Sequence, residues 1–184
     1  ANGVNRMSIG VQSFNTEVRQ MVGRLDTKET VLERLAALKA YGQCSVVIDL
    51  IYGLPGQTME VWEQDLADLV SSGVDGADLY QLNVFDGSDL NKDIAKGKVP
   101  AAATTSMQGD MFKFGRKYLD ERSYRRLSAA HWSANNRERS LYNILAKAGV
   151  PMFPFGSGAG GNVDGYGMML HRALKPYEDM VSRG

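Results

Sequence analysis

Val46-Val47-Ile48-Asp49-Leu50-Ile51-Tyr52-Gly53-Leu54-Pro55-Gly56-Gln57-Thr58 joins an apolar run to a glycine-rich turn and a helix cap. Val46 to Ile51 is an almost continuous apolar run rich in β-branched residues, the pattern of a strand buried on both faces. Gly53-Leu54-Pro55-Gly56 breaks it, and Thr58 can cap the helix that follows. Ligands of parallel α/β sheets and barrels gather at the carboxyl ends of the strands, where the βα loops meet. Asp49, the one carboxylate in the run, therefore has two readings: a ligand contact, or an acceptor for backbone N–H groups of its own turn.

The flanking sequence repeats the unit. Val4 to Val11 alternates apolar and polar residues as a strand does, and Asn15 can cap a short helix ending near Gly23. Asp26 or Thr27 caps a helix with Val31, Leu32, Leu35 and Leu38 on one stripe, stopped by Gly42. A helix from Thr58 to about Ser72 leads to a strand over Ala77–Val84. Strand and helix thus alternate with short joints, which predicts a parallel sheet of βαβ units. Further on, the pattern predicts a helix over 101–121, a strand over 124–132 and a helix over 137–148. A short strand over 151–155 and a last helix over about 168–181 complete the expectation, with all five strands parallel and helices on one face.

The 184 residues, 43% hydrophobic, suffice for one substantial core, and the chain reads as a single domain over 1–184. Lys plus Arg and Asp plus Glu balance at 21 each, which argues against nucleic acid or an anionic membrane as partner. No apolar run is long enough for a membrane span. The chain opens Ala1-Asn2-Gly3 and enters strand-like sequence at once, so no secretory leader is expected. Cys44 is the single cysteine, which excludes an internal disulfide and a cysteine-built metal site; a reducing cytoplasm is the expected setting.

Five groups fall at or just past the end of a predicted strand: Gln12, Asp49, Gln81 with Asn83, His131 with Trp132, and the glycine run Gly156-Ser157-Gly158-Ala159-Gly160-Gly161. A barrel would line one face with them. The glycine run has the spacing of a dinucleotide fingerprint, but Asn162-Val163-Asp164-Gly165 cannot open a helix cleanly. A loop lying against an adenine or sugar, and a merely flexible loop, are the other readings. His131 is either a site residue or a hydrogen-bonded structural histidine. Arg137-Glu138-Arg139 reads as a solvated helix start or, through its arginines, as a clamp for a substrate carboxylate.

Three blocks and their spacing carry a resemblance: Gly3-Val4-Asn5-Arg6-Met7-Ser8-Ile9-Gly10-Val11-Gln12-Ser13-Phe14, then Gly23-Arg24, then Ile48 to Thr58, supported by Leu79-Tyr80-Gln81-Leu82-Asn83-Val84. Together they resemble the radical S-adenosylmethionine group typified by the oxygen-independent coproporphyrinogen III oxidases. His131-Trp132, Arg137 to Asn143 and Phe155 to Gly161 look most like its haem-utilisation branch, whose members open haem anaerobically. The resemblance implies the second half of a (β/α)6 partial TIM-like barrel. It also implies S-adenosylmethionine held by Gln12, Arg24, Asp49 and Asn83, with Gly156, Gly158, Gly160 and Asn162 against the adenosine, and His131 as a catalytic group on the porphyrin side.

The family's Cys-x-x-x-Cys-x-x-Cys loop, which holds a [4Fe–4S] cluster, is not in this sequence. The expectation is therefore a C-terminal piece of such an enzyme, inactive alone, with the cluster ligands outside the chain. Haem or a porphyrin is the implied substrate, and flavodoxin or ferredoxin the implied electron donor. Self-association through the open barrel edge is expected as well. Coproporphyrinogen III oxidation, or haem carriage without chemistry, are the alternatives that the same resemblance allows.

Overall fold

The Asp49 run forms a strand with a neighbour on each side, and the alternation of its side chains sorts the sheet into two faces. The computed structural model describes residues 3–183. Its first elements are β1 (Arg6–Gln12), α1 (Thr16–Met21), α2 (Lys28–Tyr41), β2 (Ser45–Tyr52), α3 (Met59–Ser71) and β3 (Gly76–Gln81). They are followed by α4 (Asp89–Ala95), α5 (Thr105–Asp120), β4 (Arg125–Arg126) and β5 (His131–Ser133). The sheet order is β1-β2-β3-β5-β4, with β1–β2 and β2–β3 parallel.

The caps expected from sequence close the helices. Asn15, Thr27 and Thr58 accept from Val18 N, Thr30 N and Val61 N at 3.0, 3.4 and 3.3 Å. Gly42, at φ 68°, ends α2 in the left-handed conformation that a side chain disfavours. Val46, Ile48, Leu50 and Tyr52 of β2 pack with Val11, Ala77, Leu79 and Trp132 from the other strands. On this face they meet Val31 and Leu35 of α2, Trp62, Leu66 and Leu69 of α3, and Met111 and Leu119 of α5. Gly115 lets α5 come close: a Cβ there would lie 3.1 Å from the Trp62 ring. Trp62 Nε1–H donates to Met111 O at 2.8 Å, satisfying its one polar group inside the core.

The alternate residues, Arg6, Ser8, Gly10, Asp49, Asp78 and His131, face away from these helices. One face of the sheet is thus apolar and covered by helices, and the other is polar. Two continuous βα units suffice to fix this arrangement.

Beyond β3 the structure departs from the sequence reading. In place of a parallel strand over 124–132 there are two short strands, and β5 runs antiparallel to both β3 and β4. His131 opens β5, facing Asp78, instead of following a strand end. The helix read over 101–121 is α5, shortened at its start because Thr104 caps it through Met107 N. Arg137-Glu138-Arg139 is not a helix start: Glu138 is fully buried, and Arg137 donates to Gly42 O and Cys44 O.

The chain divides into two compact units, with the division after Arg139. The second contains α6 (Leu141–Lys147), β6 (Gly160–Val163), β7 (Tyr166–Met169) and α7 (Leu174–Val181). The stretch 151–155 is not a sheet strand; it makes a single antiparallel bridge, Met152 to Asn162. Gly160–Val163 instead pairs with Tyr166–Met169 as an antiparallel hairpin, so the last helix begins at Leu174 and not at 168. Among the described residues no helix is long and apolar enough to cross a membrane.

Candidate functional site

Asp49 does not tie down its own turn. That task falls to Gln57, whose Oε1 accepts from Gly53 N at 2.7 Å and Leu54 N at 3.2 Å, while its Nε2 donates to Ile51 O and to Asp65. Asp65, on α3, also accepts from the Ser13 hydroxyl at 2.8 Å and Phe14 N at 2.6 Å. It therefore joins the loops after β1 and β2 to one helix. Burial lifts its carboxyl to about 6, against the pull of these hydrogen bonds.

Relieved of the turn, Asp49 faces across the sheet. It accepts from the Ser8 hydroxyl at 3.1 Å and is half-buried. Burial raises its carboxyl above the ordinary value, the Ser8 hydrogen bond opposes that, and the neighbouring Asp78 charge adds to it. Its register partner on β1 is Gly10, and just beyond Gly10 the ladder slips by one residue, so that Gln12 pairs with Leu50. Gln12 takes φ 72°, a conformation that costs a non-glycine residue about 1–3 kcal/mol and that clusters at ligand sites. The bulge turns the Gln12 amide back over Gly10, where a Cβ would lie 2.5 Å from its Nε2 and 3.5 Å from Arg24 Nη2. Gly10 and Arg24 also line one cavity of about 500 Å³ beside β1. Gln12 and Arg24 thus meet over Gly10, the register partner of Asp49, which lies within β2, three residues before its end, and not at or past a strand end as expected.

Asn83 lies exposed, two residues past β3. Gln81 is tied to α5 through Gln108 at 2.6 Å. Gly156, Gly158, Gly160 and Asn162 belong to the second unit. Gly156 and Gly158 make a turn at φ 94° and 73°, and Gly160 and Asn162 lie in β6. Asn162 Oδ1 is buried with no hydrogen-bond partner among the described residues, an acceptor left for a donor.

His131 stands at the start of β5, not at a carboxyl end, and is almost fully buried. Its Nδ1 lies 2.9 Å from Asp78 Oδ1 and its Nε2 lies 3.3 Å from Glu138 Oε1. Burial pushes the ring down, but the two carboxylates outweigh it and hold the ring above its ordinary value. Glu138 Oε2 accepts in turn from Arg6 Nε at 2.9 Å and from the Ser45 hydroxyl at 3.2 Å. Sequence reasoning missed Arg6, Asp65, Asp78 and Glu138. Asp78 was findable, because it interrupts an apolar run just as Asp49 does.

Residues 1–69 match the family model described as the Radical SAM superfamily. That family implies S-adenosylmethionine and a [4Fe–4S] cluster. Over 182 residues, 99% of this chain and 41% of the relative, the sequence is 38% identical to anaerobilin synthase of Escherichia coli O157:H7. It is 29% identical over 164 residues to the heme chaperone HemW of Lactococcus lactis subsp. lactis, covering 89% of this chain and 43% of that protein. The chain therefore spans about two-fifths of the length of these relatives. The solved structure of coproporphyrinogen III oxidase (HemN) from Escherichia coli, a radical SAM enzyme, superposes with a TM-score of 0.74 at 23% identity, over 98% of this chain and 44% of that one. The radical SAM fold is thereby matched.

The residues present do not fit the cluster: Cys44 is buried at the start of β2, the end of the strands away from Gln12 and the Gly53 turn. Among the described residues no group of three or more His, Cys, Asp or Glu could hold a metal ion. They do fit S-adenosylmethionine. A half-buried carboxylate suits its cationic or hydroxyl groups, an exposed guanidinium suits its carboxylate, and the Gln12 amide lies beside Gly10, the register partner of Asp49.

Proposed function

We propose that this chain is the S-adenosylmethionine-holding part of a radical SAM enzyme that opens haem anaerobically, transferring a methyl group and yielding a linear tetrapyrrole. The observation that carries the reading is the 38% identity to anaerobilin synthase, sustained over 99% of the chain. When bound with its reduced cluster, the cofactor supplies a carbon radical and a methyl group. The work of this chain is to hold it. Asp49 takes the ribose hydroxyls or the ammonium, Arg24 the carboxylate, and Gln12 the polar atoms between them, with Asn83 contributing at the next strand end. For Gly156, Gly158, Gly160 and Asn162, in the second unit, the adenosine role rests on the family resemblance, with Asn162 Oδ1 lacking a hydrogen-bond partner among the described residues. The intact enzyme draws its electron from a donor of the flavodoxin or ferredoxin type. The open edge of β1 offers a surface for self-association.

The test uses the full-length protein with its cluster assembled anaerobically, given haem, S-adenosylmethionine and a reductant. Loss of the haem absorption band, with a methylated linear tetrapyrrole as product, is the expected result. Turnover of coproporphyrinogen III with release of carbon dioxide, and none of haem, would assign the oxidase reaction instead. Stoichiometric haem binding without turnover of either would assign haem carriage, the function named in the HemW relative.

A further inference from the structure

Gly10, Asp49, Asp78 and His131 are successive register partners on four adjacent strands, so one straight row crosses the polar face of the sheet. Two carboxylates stand side by side in that row, and an imidazole closes it. Glu138 holds the far ring nitrogen and is itself held by Arg6 and Ser45. We propose that Asp78, His131 and Glu138 form an electrostatic array that sets the charge of Asp49, with His131 a positioning residue that never touches the substrate. The inference rests on the reading of Asp49 as a cofactor contact.

The charges that face Asp49 are few and can be named. From β1 come Arg6 and the Ser8 hydroxyl, from β3 Asp78 and Tyr80, and from β5 His131. Around His131 stand Asp78 and Glu138, with Arg6 behind Glu138; the helix-covered face of the sheet brings apolar side chains. With the ring protonated, Arg6 and His131 oppose three carboxylates. Without the ring proton one of these two cations is gone, and Asp49, half-buried and beside the Asp78 charge, takes up a proton more readily. A protonated Asp49 cannot attract the ammonium or sulfonium of S-adenosylmethionine. A cross-link that only joined β3, β5 and the segment after it would need no ionised ring, and buried ionic groups are costly where nothing requires their charge.

The test uses the full-length protein with aspartate carboxyl carbons labelled for NMR, the Asp49 signal being assigned by its loss in Asp49→Asn. In His131→Gln, which keeps hydrogen-bonding groups but removes the charge, the Asp49 titration midpoint moves up by about one pH unit, a tenfold change in proton affinity. In Asp78→Asn, which removes the neighbouring like charge while Glu138 still holds the ring, the midpoint moves down. Calorimetry with S-adenosylmethionine follows: His131→Gln binds up to about tenfold more weakly near about pH 5.5 and within about twofold of wild type near about pH 8. An Asp49 midpoint unmoved in both variants, or equal weakening by both at every pH, overturns the array. Asp49→Ala separates the two claims. If it binds S-adenosylmethionine as wild type does while the midpoints move as stated, the cofactor reading of Asp49 fails and the array stands.

Discussion

The side-chain amide of Gln12 lies where a Cβ on Gly10 would be, 2.5 Å from that position. Gly10 is therefore a glycine for its neighbour's sake, and not for its own backbone, which needs no positive φ. Gly10→Ala would push the amide, the end of a flexible side chain, away from Arg24 and the Asp49 side of the strand pair. The expected outcome is S-adenosylmethionine binding weakened by about tenfold, about 1.4 kcal/mol, with the thermal midpoint of the protein nearly unchanged. Calorimetry beside a melting curve reads both.

Asp65 gives a pH dependence with a definite sign. Its carboxyl, lifted to about 6 in the folded protein, lies above the roughly 3.9 of an unfolded aspartate. Its contribution thus favours folding fully below the unfolded value and is lost as pH rises through about 6, by at most about 3 kcal/mol. Urea denaturation of wild type and Asp65→Asn at about pH 4.5 and about pH 7 isolates the term. Wild type gains stability relative to the variant on acidification, and parallel curves would refute the assignment.

The first three strands and their helices are legible in sequence because each signal there is local. The β-branched run around Asp49, the caps Asn15, Thr27 and Thr58, and the stop at Gly42 each act within a few residues. The direction of β5 is not local. Nothing in Ala129-Ala130-His131-Trp132 says that it returns antiparallel along β3, so the sequence pattern puts His131 at the carboxyl end of a strand, whereas it opens one. Asp65 and Glu138 hide for a related reason. A lone carboxylate in an amphipathic helix or between two arginines looks solvated until distant partners, Ser13 and Gln57 or Arg6 and Ser45, close around it.

Glu138 is buried with Arg6, Ser45 and His131 as partners drawn from β1, β2 and β5. Glu138→Ala leaves the Arg6 guanidinium and the His131 ring without their shared carboxylate, a loss of about 3–5 kcal/mol for a broken buried pair. Denaturant midpoints and amide exchange in β5 would register it. A loss below about 1 kcal/mol would show the network to be energetically idle.

The glycine run divides by position. At Gly161 a Cβ would collide with the Met152 carbonyl oxygen and stand 2.6 Å from Pro154 Cδ, whereas at Gly156 it would meet open space. Gly161→Ala is expected to break the Met152–Asn162 bridge and expose residues 151–169 to limited proteolysis. Gly156→Ala meets only the strain of φ 94° and should leave the cleavage pattern as in wild type.

Whether β1 and β2 hold S-adenosylmethionine is open to direct measurement. The direct measurement is its binding to the full-length, cluster-loaded protein, comparing wild type with Asp49→Ala and Gln12→Ala. Removing one charged hydrogen bond from such a site costs about 1.5–3 kcal/mol, roughly one to two decades of affinity. That loss is expected for Asp49→Ala, and a smaller loss of the same sign for Gln12→Ala, with the fold intact in both. Wild-type affinity in both variants, together with a normal rate of cofactor cleavage, would contradict that expectation.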